Sequence, residues 1–518
     1  DVDPTGVVSS FDLTGEAAIM ARYQEQVTVF RAVVPLGAAI PKYEFAAKSY
    51  IDKLAQKKWQ ELGITPSSRC SDEEFVRRVY LDIGGSLPTP KQVLDFVADK
   101  DAAKRDKLVD FLLERPEYSY YFANKWADIL RVKRGNNNNQ NRAYGTFAFH
   151  GWINEAIAAD KPYDEFVREI LASIGDESKN PPTVWFKDIL NAEQFVDNAS
   201  QVFLGLRLAC ANCHHHPYEK WSQDDYWGLA AFYSRVGRKA ITVPGQNQQG
   251  QQGAKQVIFV NNTGTVTNKR TNRPAAMQPL DGEQIKMEPG GDPRVHLVDW
   301  MVDAKNPFFA KAVANRYWAH FFGRGIVDPL DDMRVTDDLL KNKFSLKHMI
   351  RSICKSQTYQ LSSTPNEFNK HDKQSYARYY PKRMSAEVLF DAVSQVTDSP
   401  PTFNGIPRDK FAPNRAIMLP DESFASYFLD VFGRPQRLSA CECERVSEAN
   451  LAQTLHLLNS DEVQGKIARN SARADALAKD PRSDEEKVTE LFLWAWGRKP
   501  GPEHMKYAMD NIAKHPTS

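Results

Sequence analysis

The spacing of hydrophobic residues changes near residue 40. Before that point Ala17, Ile19 and Ala21 alternate with smaller or polar neighbours. Residues 27–30 and 32–34 are rich in β-branched and aromatic side chains, so residues 1–37 are predicted to form strands. After residue 40, apolar residues recur at helical spacing along most of the chain. The pattern predicts a mainly α fold with a short β-rich N-terminal segment.

Several predicted helices have clear start signals. Residues 71–74 read Ser-Asp-Glu-Glu, which predicts an N-terminal cap for a helix that ends at the glycine pair 84–85. Thr89-Pro90 and residues 222–225 are predicted to open two further helices. Between them, a helix is predicted from Ala192 to Ala209, where it delivers Cys210 at its C-terminal end.

A change of composition separates two helical regions. Residues 245–253 are rich in Gln and Gly, and residues 257–260 and 263–267 predict a small β-hairpin around Asn261-Asn262. The predicted organisation is an N-terminal β segment, a first helical domain, a linker with the hairpin, and a second helical domain, at residues 1–37, 45–240, 241–290 and 291–518.

Composition, charge and motif content give no signal for several functional classes. The 518 residues are 42% hydrophobic and 26% charged, which is ordinary for a globular protein. A net charge of +1 gives no argument for nucleic-acid binding. No apolar run approaches the ~18 residues of a transmembrane helix. The chain also contains no Gly-rich phosphate loop, no Gly-x-Ser-x-Gly motif and no His-Glu-x-x-His motif.

The strongest chemical signal is the stretch 210–217, which reads Cys-Ala-Asn-Cys-His-His-His-Pro. Two cysteines separated by two residues and followed directly by histidine form the attachment signature of a c-type haem. Each thiol adds to one vinyl group of the porphyrin, and the adjacent imidazole reaches the iron. We therefore expect one covalent haem c attached through Cys210 and Cys213, with His214 binding the haem iron.

Other interpretations of the cysteines stay open at this point. A four-thiolate zinc site would combine Cys210 and Cys213 with Cys441 and Cys443, although the one-residue gap in the second pair is less usual for zinc. The second pair could instead form disulfides with the remaining two cysteines, Cys70 and Cys354. A redox-active Cys-x-x-Cys is less favoured, because no thioredoxin-like βαβ pattern surrounds it.

The iron face opposite His214 decides between an electron carrier and a catalyst or sensor. Arg316 could pair with a haem propionate, and His216 could bind a separate metal. A lone histidine in a helix is more often a hydrogen-bonded core residue than a ligand. The candidates for the second iron ligand are His320, His150 and Met333.

Longer stretches carry a resemblance to a known pair of domains. Residues 71–82, 161–164 and 210–226 resemble the planctomycete cytochrome-C-like domain of unknown function. The stretches 315–325, 358–363 and 441–445 resemble the planctomycete-specific domain that habitually follows it, and residues 1–37 resemble the end of a bacterial Ig-like domain. The resemblance implies an exported protein. The family name rests on the same Cys-x-x-Cys-His motif, so it adds no independent support for haem.

Three hypotheses follow. The first is an extracytoplasmic mono-haem c-type cytochrome-like protein (periplasmic, cell-surface or secreted) that exchanges electrons with a redox partner protein or performs haem-based redox chemistry. The second is a non-redox surface or matrix protein, in a homo-oligomer or cell-surface assembly, whose Cys/His cluster binds zinc or forms disulfides. The third is an enzyme that hydrolyses extracellular polymers, for which no catalytic set is recognisable in the sequence.

Overall fold

A computed structural model describes residues 2–10, 14–23, 26–133, 140–241, 255–326, 334–403, 413–440, 444–445 and 448–515. Within these residues the first ten helices are α1 Tyr50–Leu62, α2 Asp72–Gly84, α3 Pro90–Ala98, α4 Lys104–Leu113, α5 Pro116–Ile129, α6 Gln140–Ala158, α7 Tyr163–Leu171, α8 Ala192–Ala199, α9 Gln223–Ala230 and α10 Pro293–Val302. The later ones are α11 Phe309–Phe322, α12 Arg334–Lys341, α13 Leu346–Cys354, α14 Ala386–Thr397, α15 Tyr427–Val431, α16 Leu451–Asn459, α17 Asp461–Ile467, α18 Arg473–Ala478, α19 Asp484–Trp496 and α20 Pro502–Lys514. The predicted mainly α fold is confirmed.

The strands of the described residues are few and short. They are β1 Gly15–Tyr23, β2 Gln26–Val34, β3 Gly175–Asp176, β4 Val236–Ile241, β5 Lys255–Val260, β6 Thr267–Asn268 and β7 Arg273–Pro274. Strands β1 and β2 pair antiparallel over their whole length, so the predicted β-rich start is confirmed as a hairpin. Whether it is the end of an Ig-like domain stays a prediction.

The pairing predicted for the inserted hairpin is wrong. Strand β5 was expected to pair with residues 263–267, but it pairs antiparallel with β4 on one side and β3 on the other. Strand β4 begins soon after α9, which is followed by a 3₁₀ turn over Ala231–Tyr233. Residues 267–268 pair instead with residues 273–274.

The chain divides into two compact units. The first contains residues 1–69, 129–132 and 137–381, and the second contains residues 70–128, 133–136 and 382–518. Each unit therefore includes residues from both sides of the predicted linker at 241–290. The Cys-x-x-Cys-His motif lies in the first unit.

Predicted capping signals fix several helix starts. The Ser71 hydroxyl accepts a hydrogen bond from the backbone N–H of Glu74 at the start of α2, and Gly85 ends that helix in the left-handed region at φ 56°. Helix α9 begins with a complete capping box, in which Ser222 and Asp225 satisfy each other's backbone N–H groups. These local signals were readable in the sequence because they depend on neighbouring residues only.

The second unit is held together partly by buried charges. Arg445 donates to Asp128 (2.8 Å) and to Glu387 (2.7 Å), and Arg437 donates to the other oxygen of Asp128 (2.8 Å). Glu387 and Arg437 are almost fully buried. A buried carboxylate is tolerated only when it is paired and hydrogen-bonded. This network therefore anchors Arg445, the last residue of one of the stretches that carry the family resemblance.

Candidate functional site

The Cys-x-x-Cys-His motif lies on a short turn rather than at the end of a long helix. Helix α8 continues as a π-helical turn over Ser200–Leu204 and ends at Gly205, whose φ of 70° is in the left-handed region that favours glycine. The predicted helix to Ala209 is therefore wrong. Cys210 belongs instead to a separate 3₁₀ turn, Ala209–Asn212.

The three residues of the predicted haem attachment are accessible. Cys210 and Cys213 are free thiols, and both are exposed, as is His214. Ala211 between the two cysteines is fully buried and fixes the turn to the unit beneath it. The turn thus presents both sulfur atoms and the imidazole to solvent from an anchored backbone.

The ring of His214 is held in one tautomer. Its Nδ1 lies 2.7 Å from the backbone carbonyl oxygen of His215. A carbonyl oxygen only accepts, so Nδ1 carries the proton and donates, and in the neutral ring Nε2 keeps its lone pair. A hydrogen bond from one ring nitrogen to a carbonyl is the usual arrangement of a histidine that binds metal through the other.

His216 has the opposite environment. It is 6% exposed; its Nε2 donates to the carbonyl oxygen of Arg207 (3.1 Å), and its Nδ1 accepts from the backbone N–H groups of Tyr218 (3.3 Å) and Glu219 (3.0 Å). Both ring nitrogens are therefore engaged. In this geometry His216 ties the two ends of the loop together, and binding a separate metal would require these bonds to break.

The base of the loop is fixed by Trp221. Its carbonyl accepts from the backbone N–H of His216 (2.8 Å), and its indole N–H donates to Glu219 (2.7 Å). The ring is buried and meets Phe308 edge-on at 5.8 Å. The buried Trp221 therefore holds the base of the loop through both its backbone and its side chain.

Helix α9 makes polar contacts with the turn and with helix α8. Gln223 donates to the carbonyl oxygen of Asn212 (3.3 Å), and the Tyr226 hydroxyl donates to Asp197 (3.1 Å). Burial raises the pKa of the Asp197 carboxyl, against the effect of that hydrogen bond. Sequence reasoning missed Asp197 and the Arg207 carbonyl, because neither carries a motif.

Helix α11 packs against the segment that leads to the motif. Arg316 donates to the carbonyl oxygen of Val202 in the π-helical turn (2.9 Å). His320 lies one turn further along the same helix, partly exposed, with its ring edge-on to Phe321 at 4.7 Å. His150 is buried in α6. The roles of Arg316 towards a propionate and of His320 or His150 as second iron ligand stay predictions.

Several of the other predicted metal ligands lie outside the residues that the structure describes. Among the residues that the structure describes, no group of three or more His, Cys, Asp or Glu side chains could hold a metal ion. Cys441, Cys443 and Met333 lie outside the described residues, and so does the predicted four-thiolate zinc site that depends on the two cysteines. Cys70 and Cys354 are buried.

None of the described helices combines the length and the apolar character that a membrane crossing requires.

Comparisons with known proteins agree with the resemblance seen in the sequence. A family model described as PSCyt2, protein of unknown function (DUF1549), matches residues 50–238, and one described as PSD1, protein of unknown function (DUF1553), matches residues 293–512. No curated protein and no solved structure matches the chain. The chain therefore belongs to the proteins that carry the planctomycete cytochrome-C-like domain followed by the planctomycete C-terminal domain.

Proposed function

We propose that this protein attaches one haem c covalently through Cys210 and Cys213, with His214 on the iron, and transfers electrons outside the cytoplasm. Bound haem would supply a one-electron iron couple. The observation that carries the proposal is the accessibility of all three residues on one turn, whose base is fixed by hydrogen bonds of the buried His216.

The chemistry of the donor set fits a covalent haem. Thioether formation needs two free thiols that a porphyrin can reach, and Cys210 and Cys213 meet this requirement. Iron binding needs a neutral imidazole with an available lone pair, which the hydrogen bond of His214 Nδ1 leaves at Nε2. Neither requirement depends on an enclosed pocket, because the thioethers supply the attachment.

Accessibility also favours electron transfer over catalysis. An exposed attachment turn leaves the site open to a redox partner protein, whereas chemistry on a bound substrate profits from exclusion of water. A second histidine ligand, His320 or His150, would suit a low-potential carrier. An open second face would instead suit a haem enzyme or a sensor of gas or peroxide.

A second candidate is a non-redox surface or matrix protein. One observation favours it: Cys210 and Cys213 are both exposed, at the spacing of a Cys-x-x-Cys disulfide. In that case the two cysteines form a disulfide, or they combine with Cys441 and Cys443 around zinc.

The visible spectrum separates the two candidates. The full chain is exported in a bacterial host that carries the c-type haem attachment machinery, and the purified protein is measured oxidised, reduced and after denaturation. The proposal predicts a sharp reduced α-band and colour that stays with the denatured chain. The double variant Cys210→Ser, Cys213→Ser should lose both, and His215→Ala, an exposed neighbour, should keep both. A colourless wild-type protein would overturn the proposal and leave the second candidate.

The same preparation tests the second iron ligand. If His320 binds the iron, His320→Ala changes the spin state reported by the oxidised spectrum. An unchanged spectrum eliminates His320, and the same comparison is then made with His150→Ala.

A further inference from the structure

The second compact unit contains a cleft with a volume of about 370 Å³. One wall is formed by the end of α2, the start of α3, the end of α4 and the first turn of α5; the other is formed by α14 and residues after it. All lining residues belong to this unit. The volume falls within the ~300–1,000 Å³ of small-molecule sites and far exceeds a packing void.

From this lining we infer that the cleft binds a neutral saccharide of one or two sugar rings, a function that is separate from the Cys-x-x-Cys-His motif.

The floor of the cleft is a buried, ordered carboxyl group. Asp391 is 4% exposed and accepts hydrogen bonds from the backbone N–H groups of Ala416 (2.6 Å) and Ile417 (3.1 Å). The guanidinium of Arg415 lies 3.5 Å from it and also donates to the carbonyl oxygen of Gly85 (3.0 Å). Burial raises the pKa of Asp391 to about 6, against the effect of Arg415. The cleft therefore has a fixed acceptor and a fixed donor side by side.

The rim combines a second such pair with an aromatic face. Arg115 donates to Glu117 (3.2 Å), and both side chains are partly exposed. Phe111 lines the same cleft and is 49% exposed, and Tyr80 adds a second, buried aromatic residue. Flat apolar rings beside hydrogen-bonding groups match a sugar, which has C–H faces and hydroxyl edges.

The charges of the lining select a neutral ligand. Two guanidinium groups, Arg115 and Arg415, face the cleft together with three carboxyl groups, those of Glu117, Asp391 and Asp398. An anion would meet the carboxylates, and a cation would meet the guanidinium groups, so either would be repelled by part of the wall. Hydroxyl groups donate to carboxylates and accept from guanidinium, so a polyhydroxylated ligand satisfies both.

The two walls are already fixed to each other. The side-chain amide of Gln395 on α14 accepts from the backbone N–H of Leu87 (3.2 Å) and donates to its carbonyl oxygen (2.9 Å). A preformed cleft loses little conformational freedom when a ligand binds. The saccharide would therefore enter without a rearrangement of the backbone.

The test is a binding titration of the full chain by ligand-observed NMR. The probes are glucose, galactose, mannose, N-acetylglucosamine, cellobiose, maltose and lactose, with sodium sulfate as the anionic and putrescine as the cationic comparison. We expect saturable binding of at least one neutral sugar and weaker binding of both charged probes. Absence of binding by every sugar, or tighter binding of a charged probe, would overturn the proposal.

Variants then locate the site. Phe111→Ala removes an exposed ring and should weaken sugar binding at least tenfold with an unchanged circular dichroism spectrum. Tyr507→Ala, which removes a ring that is 78% exposed on α20 away from the cleft, is the matched control and should bind as the wild type does. Asp391→Asn should also weaken binding, by loss of the floor carboxylate. Equal affinity of Phe111→Ala and Tyr507→Ala would place the sugar elsewhere and refute the cleft.

Discussion

The Cys-x-x-Cys-His turn and the cleft of the second unit are opposite kinds of candidate site. The turn exposes Cys210, Cys213 and His214 to solvent, and its order comes from backbone hydrogen bonds to His216 underneath. The cleft places its polar groups between two walls, from the buried Asp391 to the partly exposed Arg115, and its order comes from side chains such as Asp391 that bridge distant segments. The first is conspicuous in the sequence, and the second is not.

The difference follows from how each ligand would be held. A ligand attached by two covalent bonds needs reactive residues on a stable turn, and it needs little buried area for affinity. A ligand held only by contacts needs an enclosed space that removes most of its surface from water. Exposure of the reactive residues therefore supports the first proposal, whereas a concave space with a buried polar group such as Asp391 supports the second.

The largest expected effect concerns the iron ligand. His214→Ala should abolish the native reduced spectrum while the haem stays covalently attached, because the thioethers are untouched and only the imidazole is lost. Added imidazole should restore the spectrum in part. His215→Ala is the control, since it keeps the backbone carbonyl to which His214 donates. A native spectrum in His214→Ala would show that another residue binds the iron.

The next effect concerns the support of the turn. His216→Ala removes three hydrogen bonds and leaves the Arg207 carbonyl without the imidazole donor, so local opening of the loop should become easier by about 2–4 kcal/mol. Hydrogen exchange of the backbone amides of residues 208–221 measures the free energy of this local opening. The adjacent exposed His215→Ala should change it by less than ~0.5 kcal/mol. If the two variants exchange alike, the loop is held by other contacts.

The buried carboxyl group of Asp391 should make the stability of the second unit depend on pH. Because the folded-state pKa of Asp391 is raised to about 6 from 3.8, its contribution to stability is fully present below pH ~4 and is lost as pH rises through ~6. The loss is about 3 kcal/mol for a shift of roughly two pKa units. Denaturant unfolding of the second unit, followed by hydrogen exchange at pH 4 and 7, measures it. Asp391→Asn should lack this dependence; an identical pH profile in the variant would contradict the account.

The smallest effect is expected at the surface beside the turn. Lys220 pairs with Asp281 at 2.6 Å, and both side chains are more than half exposed. Exposed ion pairs contribute about 0–1 kcal/mol, so Lys220→Ala should leave both hydrogen exchange of the loop and the haem spectrum nearly unchanged. A loss as large as that of His216→Ala would mean that surface charge, rather than the buried imidazole, holds the turn.

What the sequence could predict depended on the range of each interaction. Caps such as Ser71 and Ser222 act on residues three positions away, and both helix starts were found where they were expected. The end of the helix before the motif was missed, because a π-helical turn followed by Gly205 interrupts a pattern that stays apolar. Neither irregularity changes the hydrophobic spacing.

Contacts between residues far apart in the sequence have no local pattern that would predict them. Arg445 forms a hydrogen bond with Asp128, 317 positions away in the sequence, and Gln395 forms one with Leu87, 308 positions away. Strand β5 pairs with β4 across a segment of unrelated composition, whereas the sequence offered a nearer partner with a good turn. Asp391 lies in an ordinary amphipathic helix, so only the three-dimensional structure identifies it as the floor of a cleft.

The most direct test of the haem proposal is the mass of one tryptic peptide. Cleavage after Arg207 and Lys220 releases residues 208–220, which contain Cys210, Cys213 and no other cysteine. In protein exported from a host that attaches c-type haem, the account predicts this peptide with the added mass of one haem. The same peptide without the added mass of haem, either with two free thiols or with a disulfide, would contradict the proposal.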